Sequence, residues 1–169
     1  MRVRAALDGD LLGAAEARIA SWRGAFTGLV PQKFLDAMDA EAIAAAWRES
    51  VAAGRSRLYV AETGGEDGRR IVGYAGVGPE RDGSQAGELY ALFVHPDAWG
   101  TGVATALADA AVDDLRAGGY ERVNLWVLEA NGRARAFYRR YGFTETTDRT
   151  HSSLNNLPEL RLTKGLATS

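Results

Sequence analysis

The chain has no cysteine, two histidines (His95 and His151) and four prolines in 169 residues. Without thiols there is no disulfide, no zinc–thiolate site and no cysteine nucleophile. Two histidines are too few for a histidine-rich metal centre, so no metal is expected. Charge of one sign is also lacking. Twenty Lys and Arg face 22 Asp and Glu, a formal net charge of −2, so nothing drives general binding to nucleic acid or an anionic membrane. No apolar run approaches a membrane span, and the start, "MRVRAALDGD", lacks the apolar core of a signal peptide. These absences predict a cytoplasmic protein.

What is present is ordinary for a globular domain. Hydrophobic residues make 46% and charged residues 25%, enough apolar side chain for a sizeable core at this length. No repeat, low-complexity tract or linker interrupts the chain, so one domain over 1–169 is expected.

The hydrophobic period places the elements. "RVRAAL" alternates as a strand, and Asp8 is a candidate cap for the helix "GDLLGAAEARIASW". "RGAFTGLVP" reads as a loop with exposed aromatics. Pro31 suits the start of "PQKFLDAM", and "DAEAIAAAWRESVAAG" is a third helix closed by Gly54. The period then shortens to two. "SRLYVAET", "RIVGYAGVG" and "AGELYALFVHP" are strands separated by polar turns, the last ended by Pro96. Val103, Leu107, Ala111 and Leu115 share one face of a helix stopped by Gly118 and Gly119. Then follow the strand "YERVNLWVLE", a short helix "NGRARAFYRRYG" capped by Asn131, and the strand pair "FTETTDRT" and "LPELRLTKGL". This order predicts a mixed α/β fold with a largely antiparallel sheet.

"WGTGVATAL", Trp99–Leu107, joins the longest strand to the main helix through two glycines. Glycine costs backbone entropy, and a turn needs one at most. A strand, a glycine-rich turn and a helix together present free N–H groups and the positive end of a helix dipole, a place for phosphate oxygens. The dinucleotide fingerprint is missing its third glycine, and the P-loop its Gly-Lys-Ser/Thr.

A second motif, "NGRARAFYRRYGF", follows the next strand. Together with "VHPDAWGTGVATAL" it resembles the GCN-five-related N-acetyltransferase (GNAT) family, over about residues 57 to 163 and more weakly before them. The resemblance implies a GNAT fold: a twisted, mostly antiparallel sheet of six to seven strands with about four flanking helices and splayed central strands. It implies acetyl-coenzyme A as acyl donor. The main chain of Leu92, Phe93 and Val94 would pair with the pantetheine arm, and Trp99, Gly100, Thr101, Gly102, Val103, Ala104 and Thr105 would wrap the pyrophosphate. Trp99 stands where the family usually has Gln or Arg, which removes one phosphate contact. Asn131 would touch the pantetheine arm, and Tyr138 would protonate the departing thiolate. A phenol near pKa 10 is close enough to a thiol for that transfer.

Glu88 stands where several family members keep a glutamate and is a candidate general base. His95, Glu129 and bulk water are its rivals. Among Arg133, Arg135, Arg139 and Arg140, the pair Arg135 and Arg139 share a helix face and are candidates for the 3′-phosphate of coenzyme A. Trp22, Phe26, Tyr59 and Tyr74, with "DRTHSSLNNLP" above them, are candidates for the acceptor wall. The expected activity is transfer of acetyl from acetyl-coenzyme A to a primary amine by direct attack in a ternary complex. Small amines, amino acids and peptide N-termini all remain open as acceptors, and the resemblance allows a homodimer. Alternatives are a coenzyme A-binding sensor without turnover, or an acyltransferase using a larger acyl donor or an alcohol acceptor.

Overall fold

The computed structural model describes residues 1–153 and 155–166. Seven strands form one sheet in the order β1 (Arg2–Ala5), β2 (Arg57–Thr63), β3 (Arg70–Pro79), β4 (Gly87–Val94), β5 (Arg122–Leu128), β7 (Pro158–Gly165), β6 (Thr144–His151). Every neighbouring pair is antiparallel except β4 and β5. The helices are α1 (Leu11–Phe26), α2 (Gln32–Asp36), α3 (Ala40–Ala52), α4 (Val103–Ala117) and α5 (Gly132–Tyr141). None is long and apolar enough to cross a membrane.

The two faces are covered by different helices. On one, Val103, Leu107, Ala111 and Leu115 of α4 are buried against Val77, Leu89, Val123, Leu125, Leu160 and Leu162. The contact with β3 is close at Gly73, where a Cβ would sit 2.9 Å from the Phe93 carbonyl and 3.0 Å from Leu107 Cδ1. On the other face, Leu11, Ala14 and Ala15 of α1 and Ala44 of α3 pack on Leu58, Val60 and Tyr74. Asp39 caps α3, accepting from the Glu41 and Ala42 amides at 2.9 and 3.4 Å.

Two local expectations change. Asp8 does not cap α1; its carboxylate accepts from Arg48 Nε at 2.6 Å, while Asp10 takes the Leu7 amide at 2.7 Å. The stretch expected as a loop from Arg23 is the end of α1, which runs to Phe26. Phe26 is buried against Trp22, Val30 and Leu35, because a helix this long delivers its last turn over the sheet rather than into solvent.

The feature that positions the site is a fork. Among the described residues β4 and β5 pair only at Gly87–Val123 and Glu88–Asn124. Beyond them β4 carries a bulge at Tyr90, opposite the Gly76–Val77 step of β3. A bulge bends its strand and steepens its twist, which turns β4 away from β5. The closed end is pinned by a buried polar network. Glu80 accepts from Asn124 Nδ2 at 2.8 Å, from Arg161 Nη2 and from Ser84 Oγ, and Asn124 Oδ1 accepts from Thr163 Oγ1 at 2.6 Å.

Removing the Glu80 carboxylate leaves the Asn124 amide without its acceptor in a buried place and takes from Arg161 the most buried of its three acidic partners, Asp82 and Asp148 remaining. Glu80→Ala is expected to cost about 2 kcal/mol of stability, read by equilibrium urea denaturation.

Candidate active site

The two glycines after β4 each answer a backbone demand. Gly100 and Gly102 have φ of 75° and 86°, the left-handed region that a Cβ makes costly. A Cβ on either would point into open space. This path leaves the amides from Gly100 to Thr105 without an acceptor among the described residues. The first bond across the cap runs from the Ala106 amide to the Gly102 carbonyl, 3.1 Å. Unpaired amides at the head of a 15-residue helix form a cradle for anionic oxygens.

The cradle opens on a cavity of about 470 Å³ at the mouth of the fork, between the N-termini of α4 and α5. Leu92, Phe93, Val94, Trp99, Gly100, Gly102, Ala104, Thr105, Asn131 and Tyr138 line it. Two expected contacts do not. Thr101 Oγ1 donates to the Ala98 carbonyl at 2.5 Å, and Val103 is buried in the core, so only their amides belong to the cradle. The His95 amide bonds the Val72 carbonyl. Strand alternation therefore turns the Leu92 and Val94 amides toward the open side of β4. Asn131 both lines the cavity and caps α5, its Oδ1 accepting from the Ala134 amide at 3.1 Å.

The arginines divide differently from expectation. Arg135 and Arg139 do share a face, but both engage Glu145, at 2.9 and 3.3 Å, which turns them away from the cavity lining. Arg133 and Arg140 line the cavity instead. The Arg133 guanidinium lies 3.5 Å from the Trp99 ring centre, a cation–π contact, and burial lowers its pKa. Trp99 is held by its Nε1–H, which donates to the Val94 carbonyl at 2.8 Å.

A second cavity, about 480 Å³, lies under α1 and α3. Trp22, Phe26 and Tyr74 are on its wall. Tyr59 is not. It sits one residue from Leu58 and Val60, so alternation turns it to the α4 face, where its hydroxyl donates to Asp114 Oδ2 at 2.5 Å. Of "DRTHSSLNNLP", Ser152 and Ser153 line this cavity, and Leu154 lies outside the described residues.

The candidate bases also separate. Glu88 is 2% exposed and lines neither cavity. Its Oε1 accepts the Arg81 amide at 3.1 Å, and its Oε2 accepts Arg81 Nε and Nη2 at 2.9 and 2.5 Å. His95 is occupied by the Asp97 amide and Arg70, and neither it nor Glu129 reaches a cavity. The carboxylate that does line the second cavity is Glu159 on β7. Its pKa is raised, chiefly by burial. Alternation carried the signal for it: Leu160 and Leu162 belong to the α4 side, so Glu159 must face the other way.

Tyr138 stands where the two cavities meet, together with Phe26, Leu92, Phe93, Asn131 and Ala134. Its ring packs on Phe137 and Phe143, at 5.4 and 5.6 Å. It is 7% exposed, and its hydroxyl has no hydrogen-bond partner among the described residues. Burial raises the phenol's pKa above its ordinary value. No group of three or more His, Asp or Glu side chains among the described residues is placed to hold a metal.

The chain belongs to the acetyltransferase (GNAT) family, whose model matches residues 19–143. A mycothiol acetyltransferase of Beutenbergia cavernae is 53% identical over 58 residues, 34% of this chain and 20% of that protein. The matched segments span about a fifth to a quarter of the mycothiol acetyltransferases' length. An uncharacterised N-acetyltransferase of Bacillus subtilis, YuaI, is 26% identical over 82% of this chain and 78% of its own. The PaiA N-acetyltransferase of Thermoplasma acidophilum, solved in complex with coenzyme A, superposes with a TM-score of 0.77 at 15% identity, over 97% of this chain and 98% of that one.

A branched side chain at Gly102 meets both a disfavoured φ and the space a diphosphate needs. Gly102→Val is expected to weaken coenzyme A binding at least about tenfold in titration calorimetry, a change of about 1.4 kcal/mol; unchanged affinity would refute the cradle.

Proposed function

We propose that this protein is an acetyl-coenzyme A-dependent N-acetyltransferase that acetylates a primary amine directly, with both substrates bound at once. The observation that carries this reading is the meeting of two cavities in the fork beside Tyr138. One has the donors an anionic carrier needs, and the other is walled by aromatic and polar side chains. A carrier entering from the first and an amine from the second would come together there, which is what direct transfer requires.

The residues fit the donor. The Gly100–Thr105 amides would take the pyrophosphate, with Arg133 and Arg140 near the remaining phosphate. The open side of β4 at Leu92 and Val94 would pair with the amides of the pantetheine arm. When bound, acetyl-coenzyme A supplies a thioester, whose acyl carbon an amine can attack with loss of the thiolate.

The chain's own groups handle the protons. Glu159 takes the proton the acceptor ammonium must lose, directly or through water. Tyr138 gives its phenolic proton to the sulfur. Burial raises the phenol, but it also raises a thiolate formed in the same cavity, so the gap between them stays small. Glu88 serves this reading as part of the pinned end of the fork and not as the base. A sensor without turnover would have no use for an unpartnered Tyr138 hydroxyl at the junction. A larger acyl donor is tested by comparing acetyl-, propionyl- and succinyl-coenzyme A.

Tyr138→Phe is expected to lower kcat by more than about tenfold while coenzyme A affinity stays nearly constant, measured by thiol release across an amine panel and by calorimetry. Unaltered turnover would remove the acid role. Because the base must be ionised and burial raises Glu159, kcat/KM should fall as pH drops through a pKa above the ordinary carboxylate range. Glu159→Gln should abolish that acid limb; a limb that persists assigns the proton to water or another group.

A further inference from the structure

We infer that the acceptor is an amine that also carries a carboxylate, an amino acid in chemical class, and that Arg18 is the residue that selects it. This rests on the acetyl-transfer reading of the same site and goes further in naming the substrate class.

Arg18 projects from α1 onto the wall of the acceptor cavity. Its guanidinium carbon lies 5.5, 6.0 and 5.6 Å from the ring centres of Trp22, Trp47 and Phe93. Its Nη1 donates to the Tyr74 hydroxyl at 3.3 Å. No carboxylate pairs with it among the described residues, whereas Arg4, Arg57, Arg81, Arg135 and Arg161 all have acidic partners. A half-buried guanidinium set among three aromatic rings, with a phenol as its one hydrogen-bond partner among the described residues, is incompletely compensated.

A second observation points the same way. Two buried side-chain donors on this wall have no acceptor, Arg18 Nε and Trp22 Nε1, and Trp22 is 6% exposed. Both can only donate. This side of the cavity is rich in donors and poor in acceptors, and beside a cation with no carboxylate partner among the described residues the fitting ligand group is an anion. The Arg18 Nη2 is not among the sealed, unpartnered atoms and has no acceptor among the described residues, which leaves it open to a ligand. A planar guanidinium suits a carboxylate. Arg55 and Arg81 also line this cavity, Arg81 paired with Glu88, but Arg18 is the one set among the aromatic rings, and the described lining has no glycine-rich nest or lysine to clothe a doubly charged phosphate. Glu159 faces the same cavity, so the site presents both signs of charge, the complement of a molecule bearing an ammonium and a carboxylate.

The test is titration calorimetry of the coenzyme A-loaded protein with a panel of L-amino acids, each against its own carboxamide. Within responding pairs the acid is expected to bind at least tenfold more tightly, and Arg18→Met should erase that difference while leaving coenzyme A affinity unchanged. Arg18→Lys should restore part of it, since it keeps the charge without the planar fork. If no pair favours the acid, or if Arg18→Met retains the preference, the inference falls. The pair comparison on the native chain stands even if a variant does not fold. Thiol release is read separately. Acid-selective binding with no release from any amine would defeat the acetyl-transfer reading and leave Arg18's role intact, and release without acid selectivity would do the reverse.

Discussion

Everything in this molecule depends on a parallel ladder that stops after two residue pairs. Glu88–Asn124 is the last rung between β4 and β5, and beyond it the Tyr90 bulge turns β4 aside. A sheet interior normally closes every backbone donor and acceptor. Here the inner edge of β4 is left open inside the fold, and both cavities take their shape from that opening. The cost of parting two central strands falls on the closed end, where Glu80, Asn124, Arg161 and Thr163 form a hydrogen-bonded polar network in place of apolar packing.

The parts of the site follow from the fork by simple geometry. A helix beginning at its mouth aims unpaired amides inward, which is how Gly100 and Gly102 become a cradle rather than a loose turn. A second helix, beginning at Asn131, brings Tyr138 to the junction and Arg133 over Trp99. The sheet then separates two chemistries. The mouth is rich in donors, and the face under α1 and α3 is aromatic with Arg18 and Glu159 set into it. Membership of the family accounts for the fold, and the aromatic face with Arg18 and Glu159 is where the proposed acceptor would bind.

Much of the architecture was legible because it is written in local periods and punctuation. The four apolar positions of α4, the stop at Gly118–Gly119, the Asn131 cap and the two glycines after β4 all depend on near neighbours. What sequence reading missed depends on partners far along the chain. Glu88 looked available until Arg81 was seen to occupy both its oxygens, and Arg135 and Arg139 looked free until Glu145 on β6 arrived between them. Tyr59 was placed with the acceptor by its type, although alternation alone puts it on the same side as Asp114. Phe26 read as exposed because "RGAF" looks like a helix end, and only the length of α1 over the sheet buries it. Arg18 carried no signal at all: its interest lies in having no carboxylate partner among the described residues, a property that only the assembled fold reveals.

The fork also divides the sheet mechanically. Strands β1 to β4 form one antiparallel block and β5, β7 and β6 another, joined by two rungs and a polar clasp. A ligand lying along the free edge of β4 would act as a missing strand and stitch the blocks together. Occupancy and stiffness would then be one event. The loaded molecule would exchange its central amides more slowly and resist proteases better than the empty one, because the ligand completes a structural element that the polypeptide leaves unfinished.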